Sequence, residues 1–270
     1  MRNRLISSLL SLLLVVLLGG CSTLGFGGST TDRIKRSGRL RVAMAGDYPP
    51  MNAHTLGGKL IGLDVDLASA LAANLQVELV LVEKPFGELI EAVRSGEVDI
   101  AISGITMTAA RNLEVPFAGP YYQSRKAILG TPEQLDGITA VHQLHGRLLE
   151  VVAVSGSTSE ALVKRSLPSA THLFVADQNE AIGLVLRGDA DVMIADDPVI
   201  RLALLRHPDA GLTFVESDFS AQPIGIAVTP GDPRFVNLIE NYLRHLEQTG
   251  LLDRLRKKWF DNSDWLSDLK

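Results

Sequence analysis

Residues 89–108 read LIEAVRSGEVDIAISGITMT, and residues 181–200 read AIGLVLRGDADVMIADDPVI. They are one unit used twice. Each opens with an apolar-periodic segment, turns at a glycine (Gly96, Gly188), and passes through an aspartate into a short apolar run at 100–102 or 192–194. Each run then breaks into a polar loop. A helix, a glycine turn and a strand, with no hairpin signal between them, predict a parallel α/β sheet. Ligands of such sheets sit beyond the carboxyl ends of the strands. The first loop carries Ser103, Gly104, Thr106, Thr108 and Arg111, and the second carries Asp196 and Asp197. Two lobes facing each other across these loops set a cation and hydroxyls against carboxylates, a clamp suited to a small zwitterion.

The remaining segments fit alternating strands and helices. Residues 40–44, 77–82, 126–130, 151–154, 173–175 and 224–228 read as strands. Residues 65–75 read as an amphipathic helix with Asp64 as its N-cap. The stretch 111–122 is expected to be irregular, because Pro116 and Pro120 punctuate it. Ser157 with Glu160 three residues later has capping-box spacing, and a helix to about 166 follows. Asp197, before Pro198, is expected to cap a helix ending near Arg206, and terminal helices are expected at 235–248 and 251–260.

The leader is equally legible. Arg2 and Arg4 precede a mainly apolar run at 5–18, and Leu18-Gly19-Gly20 leads to Cys21, the single cysteine of the chain. The run is short for a membrane span, which needs about 20 apolar residues. A signal peptide explains the charge and the apolar run. The cysteine after two small residues resembles a bacterial lipobox, which implies cleavage after residue 20 and lipidation, including palmitate, of Cys21. An uncleaved anchor and a free thiol are the alternatives. Residues 21–32, rich in Ser, Thr and Gly, read as a flexible tether. No cysteine remains for a disulfide, so the core alone holds the fold.

Lys and Arg number 26 against 31 Asp and Glu; without Arg2 and Arg4 the balance is 24 to 31, a net charge near −7. No basic face is visible for a nucleic acid. No GxSxG, HExxH, P-loop or dinucleotide motif occurs. His142 and His145 have a metal-like spacing but lack nearby Cys or acidic partners, so a solvated loop and no metal is expected. No cofactor is expected.

The chain resembles the family 3 extracellular solute-binding proteins, the polar amino-acid receptors of ABC importers. The resemblance runs from about residue 40 to 260. Its carriers are Gly46-Asp47-Tyr48-Pro49-Pro50, the segments at 62–67 (GLDVDL) and 103–111 (SGITMTAAR), Gly156-Ser157-Thr158, residues 191–198 (DVMIADDP) and the closing GLLDRLRKKWF at 250–260. It implies a two-lobed α/β periplasmic-binding-protein fold of type II, with two parallel-rich sheets and a ligand cleft between them. Lobe 1 is then 33–123 plus 222–270, and lobe 2, at 124–221, is inserted into it. It also implies a monomer outside the cytoplasm that hands an amino acid to a permease.

Residue by residue, the resemblance implies that Arg111 grips the ligand carboxylate through paired charge-assisted bonds. Ser103, Gly104 and Thr106 line the same wall. Ser157 and Thr158 offer a helix N-terminus to the carboxylate. Asp196 receives the α-ammonium, while Tyr48 and Phe86 wall the side chain. Asp47 either faces the ligand or caps its turn.

Two other classes share the fold. Periplasmic cyclohexadienyl dehydratases are similar at 46–50, 103–105 and 206–208. In that family a glutamate three residues after the aspartate corresponding to Asp196 is the general acid; here that position is Val199. The Asn that follows their Gly-x-Thr segment is Ser159 here. Losing a general acid costs about 10²–10⁴-fold in rate, so a receptor rather than an enzyme is expected. A sensory binding domain needs a separate signalling partner.

Overall fold

The computed structural model describes residues 28–216 and 221–269. The expected leader and the lipidation expected at Cys21 fall outside the described residues.

A helix that the tether reading did not anticipate comes first. α1 (Thr30–Ser37) starts at Ser29, whose hydroxyl accepts from the Asp32 N–H at 3.2 Å, and stops at Gly38 in the left-handed region. The Thr31 N–H and hydroxyl donate to the Asp232 carboxylate at 2.9 and 2.7 Å. Residues 30–32, expected within the tether, therefore belong to this helix. A serine cap and a glycine stop make a helix even in a polar stretch.

β1 (Arg39–Met44) follows, then a small three-stranded sheet of β2 (Asp47–Tyr48), β3 (Asn52–His54) and β4 (Leu60–Ile61). α2 (Leu63–Leu75), β5 (Glu78–Glu83), α3 (Leu89–Arg94), β6 (Ile100–Ala101), α4 (Ala109–Glu114) and β7 (Phe117–Ser124) complete this half. α2 buries Leu63, Leu67 and Leu71, one helical turn apart, with Ala68 and Ala72 beside the last two. Each such leucine contributes about 1.5–3 kcal/mol by leaving water, and Leu67→Ala would cost about 2–5 kcal/mol.

The chain then crosses into a second sheet. Its elements are β8 (Lys126–Gly130), β9 (Glu150–Val154), α5 (Thr158–Ser166), β10 (Thr171–Val175), α6 (Gln178–Arg187), β11 (Val192–Asp196), α7 (Asp197–Arg206) and β12 (Thr213–Glu216). β13 (Gln222–Val228) returns to the first sheet, and α8 (Pro233–Gln248) and α9 (Leu251–Arg256) close the chain.

The strand orders are β5-β1-β6-β13-β7 and β10-β9-β11-β8-β12. β1 pairs in parallel with β5 and β6, and β9 with β10 and β11. β13, β8 and β12 add antiparallel pairs. The two repeated units thus hold equivalent places: β6 lies between β1 and β13, and β11 between β9 and β8.

Three local expectations are corrected. Residues 111–122 are not irregular, since α4 ends before Val115 and β7 carries Pro120 within a strand. β7 is an edge strand, so a missing N–H is tolerated there, and the β13 register shifts opposite it between Ile224 and Ile226. Asp64 is no cap. Gly62, at φ 134°, precedes the helix, and Asp64 points inward to accept from the Tyr121 hydroxyl at 2.6 Å and the Asn52 amide at 2.7 Å. Asp197 is the first residue of α7 rather than its cap, and its carboxylate pairs with Arg201 Nε at 2.7 and 2.9 Å.

Candidate ligand-binding site

The loops after β6 and β11 meet where the two sheets face each other. Tyr48, Phe86, Gly104 and Thr106 from one side, with Ser157, Thr158 and Asp196 from the other, line one small cavity of about 10 Å³. That is room for about one water, so the walls must part to admit any larger ligand. Gly104 sits at φ 61°, and a methyl there would overlap the Tyr48 ring. Only glycine lets the ring come this close to the backbone.

Arg111 comes from α4, whose N-cap Thr108 accepts from the Arg111 N–H at 3.2 Å. Its guanidinium lies 5.6 Å from the Phe86 ring centroid. Nη1 donates to the Thr106 carbonyl and Nη2 to the Gly156 carbonyl, each at 2.9 Å. Burial lowers its pKa to about 10, against an opposing pull from Asp196, so it stays charged at neutral pH. Three of its five N–H groups remain for a ligand.

On the opposite wall, Ser157 caps α5 by accepting from the Glu160 N–H at 3.1 Å. Glu160 closes the motif one residue early, on the Gly156 N–H instead of the Ser157 N–H. The Thr158 hydroxyl stands 3.5 Å from that of Thr106 and donates to Gln222 Oε1 at 3.3 Å.

Asp196 ends β11, and its Oδ1 accepts from Lys126 Nζ at 2.9 Å and from the Ser124 hydroxyl at 3.1 Å. The sequence reading places Lys126 only at the start of a strand. Its signal is the second of two adjacent basic residues, Arg125-Lys126, heading the apolar run AILG at 127–130. The Tyr48 hydroxyl is buried without a hydrogen-bond partner, and burial first, then the Asp196 charge, raises its pKa well above the usual range.

Ser103 is the site residue the geometry removes from the wall. It is fully buried, its hydroxyl accepting from the Ala45 N–H at 3.0 Å and the Asn52 amide at 3.3 Å. It braces the β1 end rather than facing the cavity.

A larger cavity of about 640 Å³ adjoins the small one, sharing Phe86 and Gln178 with it. Asp47, His54, Val199 and His207 also line it. Asp47, expected either to face the ligand or to cap its turn, lines this cavity while its Oδ2 accepts the Gln178 N–H at 2.9 Å, across the cleft at the start of α6. Burial raises its pKa, and the Gln178 N–H counteracts part of that rise. Gln178, which sequence reading missed, keeps Oε1 buried and unpartnered. Its only sequence signal is its place at the start of a helix. Among the described residues no cluster of His, Cys, Asp and Glu is arranged to hold a metal ion. Nor is any of their helices long and apolar enough to cross a membrane.

Comparison with known proteins bears on the whole architecture. The family model for bacterial extracellular solute-binding proteins, family 3, matches residues 40–262. Cyclohexadienyl dehydratase of Pseudomonas aeruginosa is 29% identical over 86% of this chain and 87% of its own. The arginine-binding extracellular protein ArtP of Bacillus subtilis is 28% identical over 92% and 97%. A solved ancestral amino acid-binding protein, a precursor of cyclohexadienyl dehydratase, is 33% identical and superimposes with a TM-score of 0.78, covering 86% of this chain and all of that one. The fold is the two-lobed, type II periplasmic-binding-protein fold. With a family match across most of its length, and a cleft built where that family resemblance places one, this chain belongs to the bacterial extracellular solute-binding proteins of family 3.

Proposed function

We propose that the protein is an extracytoplasmic receptor that captures an α-amino acid in the interlobe cleft and presents it to an ABC permease. One observation carries this reading: a cavity walled from both sheets, with Arg111 hydrogen-bonded to a backbone carbonyl on each side, at Thr106 and Gly156. The three free N–H groups of Arg111 take the ligand carboxylate, with Thr158 and the start of α5 beside it. Asp196 faces the α-ammonium, and Tyr48 and Phe86 hold the carbon skeleton. Side chains extend toward the larger cavity beyond Phe86. Residues 33–123 and 222–270 move as one lobe and 124–221 as the other. Contacts made to both lobes favour the closed form. Cys21 carries the lipid that keeps this monomeric receptor beside its permease. No step is chemical, so the protein is not an enzyme.

A thermal-shift screen of purified protein against the common amino acids tests this, because a ligand that binds only the folded state raises its melting temperature. A clear shift with one or a few supports the reading, and a flat panel contradicts it.

The dehydratase relative keeps a second reading in view, since His207, within the Arg206-His207-Pro208 segment that resembles those enzymes, lines the larger cavity. Val199 lines it too and is buried, offering no proton where those enzymes place their acid. Turnover of prephenate or arogenate above background is the result that favours the enzyme.

A further inference from the structure

Asp196 has its counter-ion before any ligand arrives. Lys126 opens β8 and Asp196 ends β11, and the two are direct partners in the antiparallel register. Lys126 Nζ lies 2.9 Å from Asp196 Oδ1, with the lysine side chain 1% exposed. Ser124 adds a second bond to the same oxygen. Because the ion pair is laid down by strand register within one sheet, it persists when the lobes part.

Built-in pairing changes what the cleft demands at the ligand's α-carbon. Where a buried carboxylate depends on the ligand for its cation, an amine-free ligand strands that charge and is rejected. Here nothing is stranded. A ligand ammonium must instead share Asp196 with Lys126, while Arg111 supplies another positive charge nearby. The Tyr48 hydroxyl, buried beside Asp196 with no partner of its own, both donates and accepts, so it can meet a hydroxyl or carbonyl oxygen as well as an ammonium.

We propose that Lys126 sets the α-substituent specificity of the cleft, so that it takes 2-hydroxy and 2-oxo carboxylic acids alongside α-amino acids. This rests on the proposed function, in which Arg111 holds the ligand carboxylate. Lys126 is a specificity determinant acting through Asp196.

Calorimetry of the purified protein with three matched pairs tests it: L-arginine and its 2-hydroxy analogue, L-phenylalanine and L-3-phenyllactate, L-glutamate and L-2-hydroxyglutarate. For whichever pair binds, the wild-type affinities fall within about tenfold of each other, a gap of about 1.4 kcal/mol or less. Lys126→Met then raises the preference for the amine by at least about tenfold, because Asp196 now needs the ligand's charge. The Lys126→Met/Asp196→Asn double variant returns the ratio to the wild-type range. A lysine with only a structural role weakens both members of a pair equally. A wild-type preference for the amine beyond tenfold overturns the inference, as does an unchanged ratio in Lys126→Met. Should that variant not fold, the wild-type ratio alone decides. Where none of the three amino acids binds, the pair is built on the amino acid giving the largest thermal shift, and no binding by any common amino acid or its 2-hydroxy analogue overturns the carboxylate-site reading itself, a distinct outcome.

Discussion

Arg111 reaches across the cleft to Gly156: Nη2 donates to the Gly156 carbonyl at 2.9 Å, while Nη1 holds the Thr106 carbonyl of its own wall at the same distance. The cation assigned to the ligand carboxylate is therefore also a strut between the lobes. On the proposed function, binding and closure are coupled through one side chain. Thr106 with Thr158, and Asp47 with the Gln178 N–H, add contacts across the same gap.

Gly156 makes that approach possible. It sits at φ 73°, and a Cβ there would lie 2.6 Å from Gly87 Cα on the facing lobe. Gly156→Ala should both strain the backbone and wedge the lobes apart. With a stabilising amino acid, solution X-ray scattering should show the wild type contracting and the variant staying extended. Affinity should fall by about tenfold or more, the equivalent of about 1.4 kcal/mol. A variant that contracts like wild type removes closure from the account.

Asp64 gives a pH signature with an unusual sign. Burial raises its pKa from 3.8 to about 6 despite bonds from Tyr121 and Asn52 that favour the charged form. Between those values the folded protein holds a proton that the unfolded chain has released. Stability from this group is thus full below about pH 4, falls as pH rises to about 6, and is flat above; the whole effect is about 3 kcal/mol. Asp64→Asn removes it. In urea unfolding, the wild type's stability relative to the variant should drop by about 2 kcal/mol between pH 4.5 and 7.5. A gap that does not move with pH means that Asp64 stays ionised in the core.

Cys21→Ala should release the protein from membranes into the soluble fraction with its ligand-induced thermal shift intact. A wild-type protein that is already soluble and lipid-free contradicts the anchor.

Much of the frame was legible because it is local. The repeated helix–glycine–strand unit gave both parallel cores, and strands at 40–44, 126–130 and 151–154 fall within a residue of β1, β8 and β9. What stayed hidden depends on distant partners. Asp64 after a glycine looks like a cap, and nothing nearby shows that Tyr121, 57 residues on, supplies a hydroxyl. Lys126 looks like the polar start of a strand until β11 brings Asp196, 70 residues away, against it. Pro120 signalled a break, but an edge strand accommodates it, and edges are decided by the whole sheet. Ser103 sits in the right loop, yet its direction is set by Asn52 and the end of β1. The recruitment of β13 into the first sheet has no local signature at all.

On the proposed function, Arg111 holds the carboxylate of an α-amino acid in this cleft. Isothermal titration calorimetry of wild-type and Arg111→Ala protein, with the amino acid giving the largest thermal shift, tests it most directly. Losing one side of a buried charged hydrogen-bonded pair costs about 2–5 kcal/mol, so the variant should bind roughly 30-fold to several thousand-fold more weakly, against one-to-one binding in the wild type. Arg111→Ala binding with wild-type affinity would contradict the account.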